Sequence, residues 1–183
     1  MKAPFTVIPE KHQMKTFWCL FITMFIVSAT LAISGGPLKT SEAKYAIVSY
    51  EFVGTVPAAK KMIASWDQKA QLAAAFNIGF DYLFMPLYST VLAFLCFWGA
   101  GYFQRRGSSL AKLGIPLMWG QWIAAVCDAI ENVGLWLMLI DGPQDPWPMV
   151  SYTFAAIKFF LVVLGILYVL VFWGTRLVKG EAS

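Results

Sequence analysis

The stretch 149–173, MVSYTFAAIKFFLVVLGILYVLVFW, decides how this chain folds. It holds a single charge, Lys158, in a run long enough to cross a hydrocarbon core of about 30 Å, which takes about 20 helical residues. Three further runs of this kind lie toward the N-terminus. Residues 113–140 contain Asp128 and Glu131, residues 72–102 contain Asp81, and residues 16–34 contain no charge. Backbone polar groups find no water in hydrocarbon, so such runs must close their hydrogen bonds within helices or within a barrel. The alternating pattern of a membrane barrel is absent. The sequence therefore predicts an all-α polytopic membrane protein, a four-helix transmembrane bundle forming one domain over 1–183.

Composition agrees. Hydrophobic residues make up 59% of the chain, aromatics 16% and charged residues only 13%, whereas soluble domains average about 25% charged. A soluble fold of this length has too high a surface-to-volume ratio to bury so much apolar surface. Lipid must cover the rest, and the bilayer is the first predicted partner. The net charge of +4 comes from basic residues clustered at helix ends, which suits anionic headgroups. No basic run is interleaved with aromatics in the manner of a nucleic-acid surface, so nucleic acid is not a predicted partner.

Orientation follows from lysine and arginine placement. Lys2, Lys11 and Lys15 precede the first span; Arg105, Arg106 and Lys112 follow the second; Arg176 and Lys179 follow the fourth. The connection at 141–146 has no basic residue. These positions predict both termini on the cytoplasmic side. The first connection also carries Lys39, Lys44, Lys60, Lys61 and Lys69, offset in part by Glu42, Glu51 and Asp67; it is long, and long loops weigh less. A cleaved signal peptide is the alternative for the first span, whose apolar stretch of about 18 residues exceeds the usual 7–15.

The outer connection, 35–71, reads as ordered. Gly35-Gly36-Pro37 ends the first helix. Thr40 or Ser41 can cap a new helix, along which Ala43, Ala46, Ile47, Tyr50 and Val53 follow helical spacing before Gly54 stops it. Thr55 and Pro57 open a second short helix with Ala59, Met62, Ile63 and Trp66 on its apolar face, and Asp67 caps the second span. Two short amphipathic helices on the outer membrane surface are expected.

An ionisable side chain in hydrocarbon costs about 2.5–3.5 kcal/mol on insertion scales, so Asp81, Asp128, Glu131 and Lys158 need a reason. Asp81, Glu131 and Lys158 each lie about nine residues, or roughly 14 Å, from the outer end of their span. Residues three, four or seven apart share one helix side. This groups Asn77, Asp81 and Tyr88 in the second span, Gln121, Asp128 and Asn132 in the third with Glu131 at the margin, and Ser151, Lys158 and Gly165 in the fourth. Thr16, Thr23, Thr30 and Ser34 do the same in the first. The four stripes are expected to face one another. Pro86, one turn beyond Asp81, removes the hydrogen bond to the Tyr82 carbonyl. Three carboxyls against one ammonium leave two excess negative charges, so a carboxyl keeps its proton or a cation joins the site. The bland alternative is interhelical hydrogen bonding without chemistry.

Other residues carry less. Cys19, Cys96 and Cys127 lie in apolar segments without CxxC spacing, which argues against a disulfide framework. His12, the single histidine, precedes the first span, which argues against a histidine-rich metal site in the membrane. The sequence names neither a cofactor nor a metal set. Trp18, Trp98, Trp147 and Trp173 sit near span ends as interface anchors.

Through Tyr50-Glu51-Phe52-Val53-Gly54-Thr55, Asp81-Tyr82-Leu83-Phe84-Met85-Pro86-Leu87-Tyr88 and Asp128-Ala129-Ile130-Glu131-Asn132, the chain resembles a group of bacterial four-span inner-membrane proteins with no assigned activity. The resemblance covers most of the chain by short motifs. It implies a bacterial inner membrane and a shared polar site, and no substrate. The layout is also similar to that of sterol-isomerase-like four-helix proteins, without a matching motif.

The leading expectation is a membrane-embedded site for a small amphiphilic or cationic ligand. Asp81, Asp128, Glu131, Asn132 and Lys158 bound it, Asn77 and Tyr88 share its stripes, and Glu51 stands at its mouth. The rivals are a lipid or isoprenoid enzyme using acid/base chemistry, a proton- or cation-coupled transporter, for which four spans require a homodimer, and a structural or assembly subunit.

Overall fold

The computed structural model describes residues 4–178; Lys2 and Lys179 lie outside them. Its helices are α1 (Glu10–Ser34), α2 (Ile47–Glu51), α3 (Val56–Ala64), α4 (Gln68–Arg105), α5 (Ala111–Ile140) and α6 (Trp147–Val178), with short 3-10 turns at Pro4–Val7 and Gly36–Leu38. The described residues contain no strand. Helices α1, α4, α5 and α6 are each long and apolar enough to cross a membrane, with mean hydropathy from 1.7 to 2.6 over their most apolar stretches. The chain is a multi-pass membrane protein built as an all-α bundle. The 38 residues of α4 extend roughly 57 Å, so this helix tilts or projects beyond the hydrocarbon.

Helices α4, α5 and α6 pack on one another, and α1 leans mainly on α4. Among lipid tails no hydrophobic force drives helices together, so close packing and interhelical hydrogen bonds must do so. Small residues allow the approach. A Cβ added at Gly134 would collide with Ser151 Oγ, and one at Gly165 would strike the Gln121 amide. Gln121 uses that space to donate from Nε2 to the Leu161 carbonyl at 3.1 Å, joining α5 to α6.

Two apolar clusters form. One gathers Phe17, Phe94, Met118, Tyr168 and Phe172 toward the arginine-bearing end. The other gathers Leu38, Tyr50, Met62, Trp66, Ile78, Leu135 and Met138 at the opposite end. Along α4 and α5, Asp81, Asp128 and Glu131 fall between them.

The connection between α1 and α4 folds onto the bundle. Thr55 Oγ1 caps α3 by accepting from the Ala58 amide, and Asp67 Oδ1 caps α4 by accepting from Ala70 at 2.8 Å. The apolar faces of both short helices turn onto the bundle, with Tyr50, Ala59 and Met62 in one cluster with Ile78 and Leu135; Tyr50 donates to the Leu135 carbonyl at 3.2 Å, and Trp66 Nε1 ties the end of the connection to the Leu38 carbonyl at 3.0 Å. Helix α2 is shorter than its apolar spacing predicts. Thr40 Oγ1 accepts from the Ala43 amide at 3.1 Å and closes a turn there, and Ala46 adopts φ 53°. Helical geometry therefore begins only at Ile47, and Gly54, at φ 67°, supports the reversal into α3.

Candidate functional site: a lysine among three carboxylates

Three carboxylates, carried by two elements, converge on the Lys158 ammonium of α6. From α5, Glu131 Oε2 lies 2.8 Å and Asp128 Oδ1 3.0 Å from Nζ; from α2, Glu51 Oε2 lies at 3.4 Å. All four residues are buried: Glu131 is 0% exposed, Asp128 3%, Lys158 7% and Glu51 8%. Tyr88 of α4 donates its hydroxyl to Asp128 Oδ2 at 3.0 Å, so both Asp128 oxygens are engaged. Ser151 donates to the Glu131 carbonyl at 3.2 Å across the Gly134 contact, which fixes the register of α6 on α5. The Glu131 contact is the shortest of the three ion pairs with Lys158. Aromatic rings close the flank: Phe159 lies 4.9 Å from Lys158 Nζ, and Phe52 packs on Tyr152 and Phe159 at 5.6 and 5.5 Å. Helix α2 thus sends Tyr50 onto α5, Glu51 onto Lys158 and Phe52 onto the face of α6.

Asp81 is half-buried and forms a side arm, its Oδ2 accepting from Asn132 Nδ2 at 2.8 Å. Asn132 also reaches the Ile78 carbonyl at 3.4 Å, tying α5 to α4 beside the lysine cluster. Asn77 belongs elsewhere. Its Nδ2 donates to Ser34 Oγ at 3.0 Å and to the Ala73 carbonyl, which anchors α1 rather than joining Lys158. The structure thus brings together Glu51, Tyr88, Asp128, Glu131 and Lys158, sets Asp81 with Asn132 next to them, and separates Asn77.

Two further expectations need correction. The polar stripe of α1 does not face the site: Thr23 and Thr30 bond back to the Cys19 and Ile26 carbonyls of their own helix, at 2.9 and 3.0 Å. A threonine hydroxyl satisfied this way needs no neighbouring helix. Glu51 is no outpost at the mouth but a direct partner of the ammonium. Pro86 remains inside an unbroken α4, on an exposed side of the helix.

The cluster also limits the chemistry. The Lys158 ammonium stands at the centre of the three carboxylates, and the described residues include no group of three His, Cys, Asp or Glu placed to hold a metal ion. If every group were ionised, three negative charges would face one positive charge in a nearly water-free space. Burial pushes the Glu51 carboxyl above the usual glutamate range, and the neighbouring Lys158 ammonium opposes that shift only in part. The arrangement can hold and release protons.

No protein-family model matches the chain, and no curated protein or solved structure matches it.

Proposed function

We propose that the protein is a membrane-embedded binding protein whose Lys158 cluster takes up a small cationic amphiphile in exchange for protons, with α2 as its outer lid. The observation that carries this reading is the mismatch of three buried carboxyls around one ammonium, one of them supplied by a helix outside the membrane spans. A neutral cluster of this composition holds two protons. Glu131 and Glu51 share the ammonium, so one proton is best held between these two carboxyls. An entering monocation replaces one proton, and linkage then ties affinity to pH. Aromatic side chains at Phe52, Tyr152 and Phe159 suit the apolar part of such a ligand. In keeping with the lysine and arginine distribution, we infer that the Arg105, Arg106 and Arg176 end faces the cytoplasm; the sequence resemblance supports a bacterial inner membrane.

The test uses decyltrimethylammonium, whose charge does not titrate, so any pH effect belongs to the protein. Affinity in lipid nanodiscs should rise several-fold from pH 5 to 8, with proton release on binding. E51Q and D128N should weaken both. An affinity unchanged across that range would overturn the reading.

One observation favours a second reading. All four charged residues are enclosed, and none lines the grooves between helices. The cluster would then be a clamp fixing α2 to the bundle, as in a structural or assembly subunit. E51Q would then lower stability and leave no binding signal to change.

A further inference from the structure

A second feature lies at the arginine-bearing end, away from Lys158. Helices α1 and α6 both lean on α4 there, and a groove of about 1000 Å³ opens between them. Arg105 at the end of α4, Arg106 just beyond it and Arg176 from α6 line it, and Glu10 is the one carboxylate among the described lining residues. Arg105 and Arg176 against Glu10 leave the rim net positive. Arg176 is held over the Trp173 ring at 5.3 Å, and Arg106 over the Tyr102 ring at 4.6 Å. Both guanidinium planes are thus positioned, and planar forks of this kind match phosphate oxygens.

The walls are apolar and aromatic. Trp18, Trp98 and Phe172 line the same groove, and tryptophan favours the level where headgroups meet acyl chains. Tyr102 adds an independent sign of an occupant. It is 6% exposed, lines the groove, and its hydroxyl has no hydrogen-bond partner among the described residues. A buried unpaired hydroxyl costs about 1–3 kcal/mol, which a ligand oxygen at that place would relieve.

We propose that this groove is a binding site for one anionic phospholipid. The phosphate meets Arg105 and Arg176, the Tyr102 hydroxyl donates to a headgroup or ester oxygen, and an acyl chain lies along Trp18 and Trp98. The choice of a lipid follows from the combination: a cationic rim alone would accept free phosphate, but the rim continues into an apolar trough on a membrane-spanning wall.

Native mass spectrometry of the full chain, released from nanodiscs of equal phosphatidylglycerol and phosphatidylcholine, tests this. One phosphatidylglycerol should be retained at least tenfold over phosphatidylcholine. R105Q/R176Q should abolish that preference, and K60Q/K69Q, at the other end of the bundle, should leave it intact. Equal retention of the two lipids by the wild type would overturn the proposal even if the arginine variant failed to fold. So would a folded R105Q/R176Q protein that keeps the preference, or a K60Q/K69Q protein that loses it.

Discussion

Glu131 and Lys158 meet at 2.8 Å between two membrane-spanning helices, and neither residue has appreciable contact with solvent. Removing one partner of a buried ion pair typically costs about 3–5 kcal/mol, because the other charge is left without compensation. K158M strands three carboxyls at once and should therefore lower the unfolding free energy by that order. K158M/D128N should recover part of the loss. A denaturant titration in mixed micelles measures both, and a double variant as unstable as the sum of the single losses would deny the coupling.

Glu51 sets a pH dependence on the docking of α2. Its carboxyl titrates above the usual glutamate range when α2 is docked, because burial disfavours the charged form. A group bound to its proton more tightly in the docked state favours docking below the usual carboxyl range. That contribution is lost as pH rises through the raised value. Hydrogen exchange of amides 47–53, corrected for the intrinsic base catalysis, should speed up as pH rises in the wild type. In E51Q the corrected rates should be level.

The glycine contacts make a paired test. Gly165 faces the Gln121 amide with no room for a Cβ, whereas Gly174 has nothing within 4 Å of one. G165A should destabilise the bundle by about 1–3 kcal/mol through overpacking. G174A should be neutral or stabilising by about 0.5–1 kcal/mol, since alanine loses less backbone entropy in a helix. Thermal unfolding in detergent distinguishes the two.

Helix α1 gives the mildest expected effect. S34A removes the acceptor of the Asn77 side chain, and interhelical hydrogen bonds in membranes average about 0.6 kcal/mol. Stability should fall by that order while decyltrimethylammonium affinity stays unchanged. A change in affinity would mean that α1 contributes to the lysine site.

The sequence makes some of this arrangement legible and hides the rest for physical reasons. The four spans stand out because hydrocarbon allows only long apolar runs. Asp128, Glu131 and Lys158 stand out because ionisable groups are costly there; Glu131 and Lys158 lie at matching depth, and Asp128 is one turn away from Glu131 on the same helix. Thr23 and Thr30 mislead, because a hydroxyl that bonds its own helix looks the same in sequence as one that reaches across. Asn77 sits on the same stripe as Asp81, yet Ser34 takes it. The role of Glu51 depends on how a loop docks, and Thr40 and Ala46 bend that loop in a way that apolar spacing does not register. The Phe52, Tyr152 and Phe159 group has one signal in retrospect: an aromatic residue directly beside the glutamate that turns inward.

The separation of Glu51 from Lys158, 107 positions along the chain, also bears on biosynthesis. The ribosome makes Glu51, Asp128 and Glu131 before their common counter-ion. Helix α5 emerges with two acids and nothing to neutralise them, so its entry into the bilayer must wait for α6 or proceed with those acids protonated. A nascent chain halted before Lys158 should linger at the translocon, and adding α6 should release it.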